Sequence, residues 1–167
     1  MLSKILSKEE CAKCRLCCSF DSYDLWETPV ITTNMASRIL QEYLPQQEFI
    51  RRDGHFLLKM EKEPDDDLYY CSLLDRDKGC ILGSDKPFDC RIWPFRVMSL
   101  GITRVITLSP VCPVVQTKPL KEIQALAKEL APEIFEYADE NPDAVKPYID
   151  GYPIMVVEKP DREDSLV

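Results

Sequence analysis

Cys11-Ala12-Lys13-Cys14-Arg15-Leu16-Cys17-Cys18 places four thiols within one short stretch. Four more follow at Cys71, Cys80, Cys90 and Cys112, and the sequence contains a single histidine, His55. A soft metal centre takes thiolates, and an i,i+3 pair in a turn offers two sulfurs to one ion at small loop-closure cost. The stretch therefore predicts a small cysteine-rich, metal-organised domain, and the strand and helix patterns of the rest of the chain make its fold α+β, with short antiparallel hairpins and C-terminal helices.

The chain is 167 residues long, near the usual size of one domain, and a chain of about 150 residues buries roughly 70% of its unfolded surface. One cysteine-cluster domain is expected over residues 1–158, with a flexible C-terminal tail over 159–167. The net charge of −8 argues against a nucleic-acid partner, since the attraction to phosphate backbones is missing. The first ten residues hold no apolar stretch of a signal peptide, and nowhere do about 18 apolar residues run together, so neither export nor a membrane is expected. A cytoplasmic location follows. An even count of cysteines also suits a secreted disulfide scaffold; the missing signal and the two successive i,i+3 pairs weigh against it, because cytosolic thiols stay reduced.

Outward from the first cysteines, Phe20, Tyr23, Leu25 and Trp26 are expected to pack over them. Thr33 or Asn34 caps a helix through about Leu44, with Met35, Ile39, Leu40 and Tyr43 as its apolar stripe. Phe49 to Leu58 reads as two strands joined at Asp53-Gly54, with His55 beside the turn. Leu68 to Leu74 reads as a strand, and the turn 75–79 delivers Cys80. Phe95 to Leu100 and Ile102 to Leu108 form a second hairpin around Gly101. Leu120, Ile123, Leu126, Ala127 and Leu130 repeat as a helical stripe, with Pro132 and Pro142 as new starts or kinks. Tyr152 to Val157 adds a last strand.

Cys11-x2-Cys14-x2-Cys17 is the three-ligand run of bacterial-type ferredoxins, in which a remote cysteine before proline completes a cluster; Cys112-Pro113 supplies that pair. Cys17 and Cys18 are neighbours whose side chains are expected to diverge and so to serve different sites. Eight thiolates suit two four-thiolate sites, or one such site with spare structural thiols; the simplest partition into two is Cys11, Cys14, Cys17 and Cys112 for one and Cys18, Cys71, Cys80 and Cys90 for the other. If residues 11–18 are helical, Cys11, Cys14 and Cys18 share a face and Cys17 is the outlier. Zinc and iron–sulfur both accept four thiolates. The ferredoxin-like spacing and the Cys-Pro favour an iron–sulfur cluster of the 4Fe-4S type, with zinc as the alternative.

These residues resemble the YkgJ-like cysteine-cluster family, described as zinc- or iron-chelating domains. The resemblance spans roughly residues 11–113. It rests on the C-x-x-C-x-x-C-C stretch at 11–18, on Cys71-Ser72-Leu73-Leu74, on Cys80-Ile81-Leu82 leading to Lys86-Pro87, on Cys90-Arg91-Ile92-Trp93-Pro94-Phe95 and on Cys112-Pro113. Arg15 stands where glycine often follows the second cysteine, Lys86 where arginine usually precedes proline, and Trp93 where phenylalanine is common. The resemblance implies a metal-chelating domain. A distant relative of that family is the flagellin lysine methylase group.

Arg91 follows an expected ligand and can donate to cluster sulfur or bind an anion; the plainer reading is a surface ion pair. Trp93 and Phe95 are expected to shield the site from water, with Arg91 and Trp93 as the residues bordering a cofactor. His55 reads as a solvated histidine. Phosphate loops, G-x-G-x-x-G, G-x-S-x-G and H-E-x-x-H are absent, so no catalytic residue is assigned. The function expected is a metal-binding, electron-transfer or accessory module whose acidic surface docks a protein partner of basic character. A structural zinc protein and a cluster-dependent group-transfer enzyme are the alternatives.

Overall fold

The computed structural model describes residues 7–24, 27–62 and 67–159, so Leu25, Trp26 and the tail beyond Lys159 lie outside the described residues. The fold is α+β, as the sequence predicts.

Helix α1, Lys8–Cys14, starts at a capping box: the Glu10 amide donates to Ser7 Oγ and the Ser7 amide to the Glu10 carboxylate, which satisfies two free amides of the first turn. It ends at Arg15, whose left-handed φ of 58° explains why glycine suits this place. The Arg15 side chain offsets that strain by donating to the Ala12 and Arg76 carbonyls. A 3-10 turn, Leu16–Cys18, then leads into β1, Ser19–Phe20.

Helix α2 runs over Thr33–Arg38 and continues as a π-helical turn, Ile39–Tyr43. Its cap is Thr32, one residue earlier than expected, whose Oγ1 accepts from the Met35 amide. Strands β2, Phe49–Arg52, and β3, His55–Leu58, form the expected hairpin about Asp53-Gly54. The expected strand 68–74 is broken: β4, Glu61–Lys62, pairs with β5, Tyr69–Tyr70, which also pairs with β1. Strand β6, Leu74–Asp75, forms a separate ladder with β7, Gly79–Cys80. The break falls at Cys71–Leu73, where the Leu74 amide turns back to the Cys71 carbonyl.

Helix α3, Phe88–Ile92, precedes β8, Phe95–Leu100, which pairs antiparallel with β9, Thr103–Leu108. A short α4, Pro113–Gln116, leads to the long α5, Leu120–Glu140. Of the new start or kink expected at Pro132, the new start does not occur, since α5 continues through it. Pro132 lies on the exposed face, where water serves the carbonyl it strands, while Ala131 and Ile134 beside it stay in the core. Pro142 does open a new turn, Pro142–Ala144. Strand β10, Lys146–Pro147, runs parallel to β8, and β11, Ile154–Val157, antiparallel to β9, giving the sheet order β10-β8-β9-β11.

Two apolar cores result. In the first, α5 lays Ile123, Leu126, Ala127, Leu130 and Ile134 on Phe95, Val97 and Ile106 of the sheet, with Ile92 of α3 beneath. In the second, Ile31, Ile39, Leu58, Leu73 and Leu82 close around Phe20. Cys112 belongs to the first core and Cys11 packs against it, while Cys71 and Cys80 pack against the second. Among the described residues, no helix is long and apolar enough to cross a membrane.

Candidate metal centre

All eight cysteines are free thiols. Each comes from a short element or a turn: Cys11 and Cys14 from α1, Cys17 and Cys18 from the 3-10 turn, Cys80 from β7, Cys90 from α3, and Cys71 and Cys112 from the loops before β6 and α4. The Cys71 amide donates to the Cys18 carbonyl at 2.9 Å, which ties the first cysteine turn to the second group. Cys112 is buried, Cys14 exposed and the others between. Among the described residues, no three Cys, His, Asp or Glu side chains are yet drawn to metal-holding distance.

The thiols fall into neighbourhoods by which of them would hinder one another's ionisation. After burial, Cys17, Cys112 and Cys14 oppose ionisation of Cys11, and Cys14 and Cys17 that of Cys112. Cys71, Cys17 and Cys80 oppose that of Cys90. Cys17 therefore stands between a group of Cys11, Cys14 and Cys112 and a group of Cys71, Cys80 and Cys90. A niche of about 20 Å³, room for about one water-sized body, is lined by Cys11, Cys14, Cys17 and Cys112 under Trp93. A larger cleft of about 480 Å³ opens on the other side of Trp93, past Cys17 and Cys90.

Cys17 and Cys18 do not diverge as expected: their sulfurs lie 4.0 Å apart. Neighbours on a 3-10 turn are a third of a turn apart, and side chains one bond long rotate toward each other across that angle. The separation is close to the edge of about 3.8 Å that thiolates about 2.3 Å from one tetrahedral ion would span.

Burial raises the pKa of Cys11, Cys80 and Cys112, raises Cys90 well above its ordinary value, and pushes Cys71 up to about 12. Cys17 is raised first by its contact with Cys18 and then by burial. These six thiols are therefore neutral at pH 7, and any metal they take must displace protons. Lys86 opposes the trend at Cys11, Cys17 and Cys80, where its charge eases ionisation. Nothing in the sequence alone marked that role.

Trp93 borders both cysteine clefts, whereas Phe95 is fully buried in the first core. Arg91 borders a different cleft, with its guanidinium over the Phe88 ring at 5.7 Å. His55 is 7% exposed, not solvated. Its Nδ1 faces two acceptors, the Asp53 carbonyl at 2.9 Å and Asp143 Oδ2 at 3.3 Å, so it is the donor nitrogen. His55 thus ties the β2–β3 hairpin to the turn after α5, far from any cysteine in the chain. A further buried group, Lys146, is 1% exposed and lies 4.0 Å from Asp89, whose carboxylate also accepts from the Val30 amide at 3.1 Å. Its ionisation is held down by burial, with Asp89 acting against that trend. This link fixes α3, and so the start of Cys90, to the sheet.

No family model, curated protein or solved structure matches this chain.

Proposed function

We propose that this chain is a metal-binding protein that holds its metal entirely through cysteine, as an iron–sulfur electron-transfer or accessory module of the cytoplasm. The observation that carries the reading is the shared niche of Cys11, Cys14, Cys17 and Cys112. These are the members of the ferredoxin-like run together with its remote Cys-Pro, brought together from opposite ends of a hundred-residue interval. The donor set fits such a centre: four soft sulfurs, no disulfide, and a lysine nearby to offset thiolate charge. Cys71, Cys80 and Cys90, with Cys18, supply the donors of a second site. A bound iron–sulfur group would supply one-electron redox capacity, tuned by sulfur hydrogen bonds and by exposure. The protein's own part is to exclude water with Trp93 and to hold six thiols protonated until metal replaces the protons. The resemblance to the YkgJ-like family accords with this reading, and the acidic surface suits a basic protein partner.

Zinc is the second reading. The niche volume admits one ion more readily than a cluster, and the 4.0 Å between Cys17 and Cys18 is near the edge of a thiolate tetrahedron. Elemental analysis of anaerobically purified protein decides between them. Iron with matching acid-labile sulfide supports the cluster, and zinc without sulfide supports the second reading. Less than about 0.5 metal per chain alongside eight titratable thiols overturns both.

A further inference from the structure

Lys86 and Arg91 stand on one cleft of about 410 Å³, between α2, the loop before α3 and the end of α5. That volume is in the range of small-molecule sites. A third cation, Arg38, lines the same cleft but is committed: it pairs with Asp85 at 2.6 Å and with Glu42 at 3.2 Å. Asp85 is committed in turn, since it also accepts from the Tyr43 hydroxyl at 2.6 Å. Lys86 and Arg91 have no ion-pair partner among the described residues. In a chain of net charge −8, two unneutralised cations on one concave surface are a local reversal of sign.

The floor of the cleft is aromatic. Phe88 and Tyr137 stack at 3.7 Å with their rings 7° apart, and Arg91 lies over the Phe88 ring. That contact holds the guanidinium fork in place, so less freedom is lost when it engages an oxyanion. The negative end of α5 opposes an anion here, as do the carboxylates of Asp85, paired with Arg38, and of Asp89 and Glu140 near Tyr137. The Asn141 amide and side-chain Nδ2 both donate to the Tyr137 carbonyl and so cover it.

We propose that this cleft binds a small phosphate monoester, its phosphate held by Arg91 and Lys86 and its organic part resting against Tyr137. Arg91 offers a planar fork for two phosphate oxygens, and Lys86 a point charge for the third. The site does not depend on the thiols being metal ligands, although Lys86 places its occupant next to them.

Isothermal titration of the full chain at low ionic strength tests this, with phenyl phosphate, inorganic phosphate and citrate as probes. Phenyl phosphate should bind saturably at one site per chain and more tightly than inorganic phosphate. Lys86→Gln and Arg91→Gln should each weaken it about tenfold or more, the loss expected for one charge-assisted hydrogen bond. Ser84→Asp alters only an exposed rim residue, leaves the fold alone, and should weaken binding by charge repulsion. Lys86→Arg should retain binding. The proposal falls if phenyl phosphate fails to saturate by about 10 mM, if Ser84→Asp and the glutamine variants, folded by circular dichroism, bind as the parent does, or if citrate binds more tightly.

Discussion

Raising the pH of the metal-free, reduced protein should destabilise it, and Cys71 allows the size of the effect to be worked out. Burial holds this thiol at about 12 against an ordinary 9.0. The unfolded chain releases the proton near the lower value, while the folded chain keeps it to the higher one. Between the two the native state binds more protons, so stability falls as pH rises, and below about pH 8 the effect vanishes. At about pH 10.5 a fully expressed shift would cost about 2 kcal/mol. Cys71 retains some exposure, and screening by solvent reduces the working figure to about 1 kcal/mol. Urea unfolding at a series of pH values from about 8 to 10.5, for the parent and for Cys71→Ser, measures it directly. Serine is near in size and does not ionise in this range. Lys146 acts with the opposite sign, because its folded pKa is lowered and its contribution grows with pH; both proteins share it and it cancels in the comparison. The parent should lose about 1 kcal/mol more than the variant across the range. Parallel pH profiles, or a steeper one for Cys71→Ser, would refute the reasoning.

Three further outcomes are expected. Gly79 has φ 81°, and an added Cβ would meet Ala12 Cβ at 3.3 Å; Gly79→Ala should cost about 1–2 kcal/mol and loosen the seat of α1 beside Cys80, read as a lower urea midpoint and lower metal retention. Ile134 is fully buried on α5, so Ile134→Ala should lose about 3 kcal/mol in the same assay, and a loss below about 1 kcal/mol would show that the first core re-closes around the gap. Lys146→Met removes the cation beside the Asp89 carboxylate, which keeps the Val30 amide, and should cost about 3 kcal/mol, part of which returns in the Lys146→Met, Asp89→Asn double variant; equal losses in the single and double variants would disprove the coupling.

Local chemistry was legible in the sequence wherever one short signal decided the backbone. Asp53-Gly54 marked the β2–β3 hairpin because Gly54 takes the φ of 78° that the turn requires. The stripe from Leu120 to Leu130 marked α5 because its side chains all face one sheet. Whether α5 would restart at Pro132 was open in the sequence, since the periodic pattern does not say which face the stranded carbonyl occupies. The region 68–83 was misread because two-residue strands carry almost no periodicity, and its β6–β7 ladder depends on the loop at Cys71. His55 and Lys146 were beyond reach of the sequence for a different reason. Their partners, Asp143 and Asp89, lie 88 and 57 positions away, and only the tertiary fold brings them near. Cys17 and Cys18 failed in the opposite direction: their spacing was local, but the rule of diverging neighbours assumed helix or strand and met a 3-10 turn.

The placement of the cysteines between two cores alters what metal would do for this fold. Phe88, Ile92, Phe95, Val97 and Ile106 share one core with α5, and most of the apolar residues of that core carry no sulfur. The segments with the least apolar support of their own are α1, the 3-10 turn and the β6–β7 ladder. These short elements carry Cys11, Cys14, Cys17, Cys18 and Cys80. Because Cys17 and Cys18 are chain neighbours, closing one site on Cys17 and Cys112, on the first core, and the other on Cys18, Cys71 and Cys80, on the second, would join the two cores. The stability gained would then lie in the junction of the two cores, while each keeps its own packing.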